Sequence, residues 1–264
     1  MSSRTWFRLG ALLLSAGFVV PLAAQVWRSD QGDGTYRNPV LYADYPDPDI
    51  IRVGEDFYFV STTFANAPGV TILHSKDLVN WRIAGHVVDR LDGDPRYDLT
   101  QGDAYRRGFY AASLRYHNGL FYVAVTPVGH KTRIYRARTI AGPWTYSELD
   151  REAFDPALFI DDDGTAYLGT SIGSDGTVTL LTLNKDLTAV TAARKAYYNK
   201  GAEGSKIIRR DGYYYLFNAI PGKLAMTVSR ARSLWGPWET KPSIDDKSGG
   251  HQGAIVDMPD GSWY

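Results

Sequence analysis

One turn-centred motif returns five times along this chain, and it limits the fold more than any other feature. Asp47-Pro48-Asp49-Ile50-Ile51-Arg52-Val53-Gly54-Glu55-Asp56-Phe57-Tyr58-Phe59-Val60 reads as a strand, a tight turn and an aromatic strand. Glu203-Gly204-Ser205-Lys206-Ile207-Ile208-Arg209-Arg210-Asp211-Gly212-Tyr213-Tyr214-Tyr215-Leu216 repeats that order. It recurs in residues 112–122 around Asn118-Gly119, in 155–167 around Asp163-Gly164, and in 251–263 around Asp260-Gly261. Asn-Gly and Asp-Gly between alternating apolar residues mark hairpins, because both central residues of a type I′ turn need positive φ. A second motif falls between the hairpins: Ser75-Lys76-Asp77-Leu78-Val79-Asn80-Trp81, then Ala141-Gly142-Pro143-Trp144, a fainter Asn184-Lys185-Asp186-Leu187, and Leu234-Trp235-Gly236-Pro237-Trp238.

The hairpins start near positions 47, 111, 155, 203 and 251, at intervals of 64, 44, 48 and 48 residues. A period in that range with four strands per repeat is the mark of propeller blades, and no sustained helical spacing interrupts it. The expectation is an all-β, five-bladed β-propeller. At 264 residues and 44% hydrophobic content, one domain with one sizeable core is affordable. The chain reaches Tyr264 just after the fifth hairpin, so that blade is expected to be truncated, with roughly 40 residues missing at the observed period. The long first interval leaves room for a strand-free loop over residues 89–107, in which Arg106-Arg107 is expected to form a solvated rim.

Residues 1–24 differ from the rest: Arg4 and Arg8 precede an apolar run that ends in Leu22-Ala23-Ala24. That is the pattern of a cleaved signal peptide, and Ser15, Gly17 and Pro21 interrupt the run too early for a membrane span. The expected organisation is a signal peptide over 1–24, a short linker over 25–35 and the propeller over 36–264, with a secreted or periplasmic mature protein. The chain has no cysteine, which removes disulfides, thiolate catalysis and thiolate metal sites. Lys plus Arg equals Asp plus Glu at 29 each, so no global field attracts nucleic acid or an anionic membrane; a neutral partner such as sugar suits the chain better.

In a propeller the innermost strand of every blade lines the central channel, so equivalent first residues meet at one channel mouth. Those residues are Asp47, Ala111 or Ala112, Asp155, Glu203 and His251. Confining like charges in a narrow channel costs free energy unless a ligand or mechanism uses them. Cleavage of a glycosidic bond needs one protonated carboxyl group for the leaving oxygen and one ionised carboxylate for water or for the sugar. A third carboxylate can raise the proton affinity of the acid and orient it.

At these residues the sequence resembles glycoside hydrolase family 43, whose members are five-bladed propellers acting on xylosides and arabinosides. The resemblance rests on Arg37-Asn38-Pro39-Val40, Tyr45-Pro46-Asp47-Pro48-Asp49-Ile50, Thr63-Phe64, Pro68-Gly69-Val70 and the segment from His74 to Trp81. Phe154-Asp155-Pro156, Ala202-Glu203-Gly204 and His251-Gln252-Gly253 complete it. The resemblance implies Asp47 as general base, Glu203 as general acid and Asp155 as the group that tunes and orients the acid. Because the family inverts configuration, base and acid are expected about 6.5–9.5 Å apart. It further implies Phe64 and Phe154 as sugar-pocket walls and His251 as an axial histidine in contact with substrate or near a structural cation such as calcium, with no cofactor required. Tyr110-Ala111-Ala112 stands where many relatives carry Trp-Ala-Pro, which gives Tyr110 the tryptophan's substrate-binding role and leaves the sugar preference open. The implied partner is a xylo-oligosaccharide or arabinose-containing substrate. β-Xylosidase is the leading activity, α-L-arabinofuranosidase or arabinanase the alternative, and a non-catalytic sugar-binding propeller the rival of another class.

Two further patterns compete for attention. Gly169-Thr170-Ser171-Ile172-Gly173 matches the serine-nucleophile elbow, but Ser174-Asp175-Gly176 and another strand follow where that elbow needs a helix. The histidines at 74, 86, 117, 130 and 251 lack close metal-ligand spacing, and Asp161-Asp162-Asp163-Gly164 lacks the alternating ligands of a calcium loop.

Overall fold

The computed structural model describes residues 27–244 and 252–264. The signal-peptide reading over residues 1–24 and His251 lie outside the described residues.

Sixteen strands form four antiparallel meanders. The first sheet holds β1 (Asp49–Val53), β2 (Asp56–Val60), β3 (Gly69–Ser75) and β4 (Arg82–Val88). The second holds β5 (Phe109–His117), β6 (Leu120–Pro127), β7 (Arg133–Ala137) and β8 (Thr145–Glu148). The third holds β9 (Ala157–Ile160), β10 (Ala166–Thr170), β11 (Thr177–Leu183) and β12 (Val190–Tyr198). The fourth holds β13 (Glu203–Arg210), β14 (Tyr213–Ile220), β15 (Ala225–Ala231) and β16 (Glu239–Ile244). The first strands of successive sheets pack on one another, β1 on β5, β5 on β9 and β9 on β13, which is the arrangement of propeller blades about an axis.

Among the described residues the blades number four rather than five. The fifth repeat is present as a narrow ladder in which Val256 and Tyr264 exchange backbone hydrogen bonds of 2.8 and 2.9 Å and Asp257 bridges Trp263. It reaches both flanking sheets: Arg52 pairs with Asp257, while the Arg210 guanidinium lies 5.4 Å from the Trp263 ring.

The hairpin turns follow local chemistry. Asn118-Gly119 and Asp211-Gly212 have positive φ at both positions, as a type I′ turn demands. Asp163-Gly164 and Asp260-Gly261 do not: only the glycine is left-handed, at φ of +83° and +82°. Asp161 accepts the Gly164 N–H and donates its own to Thr165, so this hairpin closes through a longer loop. The second recurring motif joins the third and fourth strands of a blade. In the first sheet Ser75 Oγ accepts the Asp77 and Leu78 N–H groups, and Asp77 accepts those of Val79 and Asn80.

Period-2 alternation explains how an inner sheet can be apolar on both faces. In β6, Val123 and Val125 point into the core shared with the first sheet, while Tyr122 and Ala124 point into the core shared with the third. In β11, Leu181 and Leu183 face the second sheet and Val178 and Leu180 face the fourth. Side chains also tie neighbouring inner strands together. Leu114 N–H donates to Asp49 Oδ2 at 2.9 Å, and Leu158 N–H donates to Ser113 Oγ at 3.0 Å.

Candidate active site

Asp47 and Asp155 each stand two residues before an inner strand, and Glu203 opens one. All three are partly exposed. The backbone is left-handed at Asp47 (φ +52°) and Asp155 (φ +44°), and next to the third carboxylate at Gly204 (φ +59°). Such conformations cost about 1–3 kcal/mol in a non-glycine residue and persist where the surroundings over-determine them. The same mouth carries Phe64 at φ +52°. After Glu203 the ladder with β14 slips by one residue before Lys206, a bulge of the kind that re-aims side chains beside sites.

The three carboxyl groups act on one another. Asp155 is pushed up to about 7, first by burial and then by the negative charges of Asp47 and Glu203, while Lys206 and the Gly204 N–H oppose the shift. Asp155 thus accepts a hydrogen bond from the residue adjoining Glu203. Asp47 accepts one from Thr62 Oγ1 at 2.7 Å. Thr62 is held in turn through its own N–H on the Pro46 carbonyl at 3.0 Å. Gly173 lies against Glu203: a Cβ there would sit 2.7 Å from Glu203 Oε2.

Phe64 and Tyr110 meet edge to face, with ring centroids 5.1 Å apart, and form one aromatic wall. Phe64 is clamped to the start of β5 by paired backbone hydrogen bonds with Phe109, and Gly108 allows this approach because a Cβ would fall 1.8 Å from the Phe64 oxygen. Arg106 and Arg107 are both exposed, and the Arg106 guanidinium lies 5.6 Å from the Phe64 ring centroid. Tyr110 Oη donates to the Arg106 carbonyl at 2.7 Å, which ties the loop to this wall. Phe154 adjoins Asp155, is 37% exposed, and accepts from Thr170 Oγ1 through its carbonyl. His251 is outside the described residues, but its neighbour Gln252 packs on Gly204, where a Cβ would lie 2.9 Å from the carboxamide.

Sequence reasoning missed Thr62, Gly173 and Lys206. Gly173 was visible only as the end of the elbow-like Gly169–Gly173 stretch. There β10 leads into a turn and then β11, and Ser171 is buried against Ser205 at 3.1 Å. The glycine makes room for Glu203, and the serine is a packing residue.

Comparison with known proteins agrees with this geometry. The family model described as "Glycosyl hydrolases family 43" matches residues 36–264. The chain is 32% identical over 272 residues to a beta-xylosidase of Formosa agariphila, covering 89% of this chain and 46% of that protein. It is 33% identical over 262 residues to a non-reducing end alpha-L-arabinofuranosidase of Bacteroides ovatus, covering 87% and 47%. A solved bifunctional GH43-CE structure from Bacteroides eggerthii superposes with a TM-score of 0.79 at 36% identity, over 86% of this chain and 31% of that one. The chain spans about half the length of the curated relatives it matches. By family match, blade topology and the carboxylate-lined channel mouth together, this chain belongs to glycosyl hydrolase family 43.

Proposed function

We propose that this chain is the catalytic propeller of an exported, inverting glycosidase that releases xylosyl or arabinofuranosyl units from hemicellulose oligosaccharides, with β-xylosides as the leading substrate. The observation that carries the reading is Asp155, buried between the charges of Asp47 and Glu203 and holding its proton up to about pH 7. Burial and the two neighbouring negative charges thus hold the Asp155 proton toward neutrality. Asp47, fixed by Thr62, is the base that activates water. Glu203 is the acid that protonates the glycosidic oxygen, and Asp155, within electrostatic reach of it, is the group that tunes and orients it. An inverting pair leaves a gap of about 6.5–9.5 Å for the water.

Phe64, Tyr110 and Phe154 are proposed as the surfaces that contact the sugar, and His251 as a further contact. The ladder at Val256 and Tyr264 is proposed as the start of a fifth blade. A structural cation near His251 rests on family likeness alone. Among the described residues no group of three or more His, Asp and Glu side chains is placed to hold a metal ion, and no step is routed through one. Relatives named for xyloside and arabinofuranoside cleavage support the substrate class.

The test uses the full-length protein with xylobiose, aryl β-xylosides and aryl α-L-arabinofuranosides. Glu203→Ala and Asp47→Ala are expected to lose at least about 10²–10⁴-fold in kcat on xylobiose, the usual worth of a positioned acid or base. With a 2,4-dinitrophenyl leaving group, which departs without protonation, Glu203→Ala recovers most of its rate and Asp47→Ala does not. Near-normal rates in either variant on xylobiose remove that residue from its role. Binding of xylo-oligosaccharide without turnover by the wild type supports the sugar-binding rival instead.

A further inference from the structure

Beneath the three carboxyl groups the channel holds a second set of charges that the hydrolytic scheme does not use. Lys206 follows Glu203 on β13, is 2% exposed, and reaches across the axis so that Nζ lies 3.9 Å from Asp49 Oδ2 of the first sheet. Asp49 is equally buried at 2%. It is held by Arg115 Nη1 and the Leu114 N–H, both at 2.9 Å. Two cations therefore share one anion, and the cluster carries a surplus positive charge. A cavity of about 220 Å³ is lined by Asp49, Arg115, Lys206 and Asp257 among others.

A buried cation that shares its one counter-ion with Arg115 is costly unless further anions answer it, and the other anions that act on it are Asp155 and Asp47. The Lys206 charge acts on Asp155 and on Asp47, while Asp49 and Arg115 face it from β1 and β5 and Glu203 shares its strand. Burial pushes the Lys206 ammonium below its usual range, chiefly against the pull of Asp49, and Arg115 adds to the push.

We propose that Lys206 is a positioning residue for the hydrolysis: held across the channel by Asp49, it sets a fixed positive charge beneath Asp47 and Asp155 and favours their ionised forms. It thereby limits how strongly Asp155 holds its proton. The inference rests on the proposed glycosidase reading for its kinetic consequence, but its electrostatic content is measurable without turnover.

The experiment compares Lys206→Met, Lys206→Gln and Lys206→Arg in two readouts: the pH profile of kcat/KM on an aryl xyloside, and ¹³C NMR titration of the aspartate carboxyl carbons. Removing a neighbouring charge moves a carboxyl midpoint by about 1–3 units. Lys206→Met is expected to raise the acidic limb and the Asp155 midpoint by about one unit, the low end of that range. Lys206→Arg restores both. Lys206→Gln removes the charge but keeps a polar head for Asp49, so it moves both upward, as Lys206→Met does. Should Lys206→Met not fold, Lys206→Gln decides alone: an upward shift supports the assignment, and no shift or a downward one overturns it. A pH-independent loss of kcat in Lys206→Met with the Asp155 midpoint unmoved also overturns it. If the wild type cleaves no glycoside, the functional reading fails while the NMR arm still judges Lys206.

Discussion

Gly173 shows how much a single hydrogen in place of a methyl can decide. Its backbone is not left-handed, so alanine fits its conformation, yet the added Cβ would stand 2.7 Å from Glu203 Oε2 and 3.3 Å from the Gly201 carbonyl. The carboxylate is the end of a flexible side chain and gives way first. Gly173→Ala should therefore fold with a nearly unchanged melting temperature while Glu203 is displaced. A misplacement of about 1 Å in a catalytic group costs on the order of 10²-fold, and the loss should fall on kcat with xylobiose and largely vanish with a dinitrophenyl leaving group. A loss of equal size on both substrates shows that the glycine serves something other than the acid. Thr62 works by the opposite means: it holds Asp47 through a donated hydrogen bond, so its influence falls on the proposed base.

At the scale of elements, the inner strands carry two duties, lining the channel and sealing the wedges between blades. Leu114 on β5 is fully buried in the core between the first two sheets, and its N–H is the donor that fixes Asp49. Leu114→Ala leaves that hydrogen bond in place but opens a cavity, with an expected loss of about 2–5 kcal/mol. Urea unfolding should register it as a lower midpoint with an unchanged slope; a loss below about 1 kcal/mol means that the blades close up around the gap. The meander order of each sheet and the approach of Asp47 and Glu203 to Asp155 were legible in the sequence because each acid sits at, or two residues before, the first strand of its repeat. Two turns were misread because Asp163-Gly164 and Asp260-Gly261 share their dipeptide with type I′ turns, and the flanking register, which a dipeptide does not encode, selected longer loops. Lys206, Asp49 and Thr62 were hidden for a related reason. Their partners lie 157 and 15 positions away in the chain, and only the cross-channel and cross-strand geometry makes a polar residue in an apolar strand intelligible.

For the molecule as a whole, the channel mouth is a place where function opposes stability. Asp155 is held up to about 7 against an ordinary value of 3.8, with burial the main cause and Asp47 and Glu203 adding to it. A carboxyl group whose proton affinity rises on folding destabilises the native state as it ionises: the folded protein binds more protons than the unfolded chain between about pH 4 and 7, so stability falls as pH rises through that window. Carboxylates such as Asp77, drawn down to about 2 by hydrogen bonds from Asn80, Val79 and Ser75 against the cost of burial, work the other way at more acidic pH. The wild-type curve therefore mixes both effects, and the difference between variants isolates one. Asp155→Asn removes the group that must ionise and keeps its shape. The variant should melt higher than the wild type at pH 8, by about 2–4 °C for each kcal/mol relieved in a chain of this size, and the difference should shrink as pH falls toward about 4 and close below it, where Asp155 becomes protonated in both states. Activity on xylobiose should be lost at every pH. A variant that melts lower than the wild type at pH 8, or a gap that widens toward acid, shows that the Asp155 charge is a net stabiliser and that the three carboxylates do not strain one another.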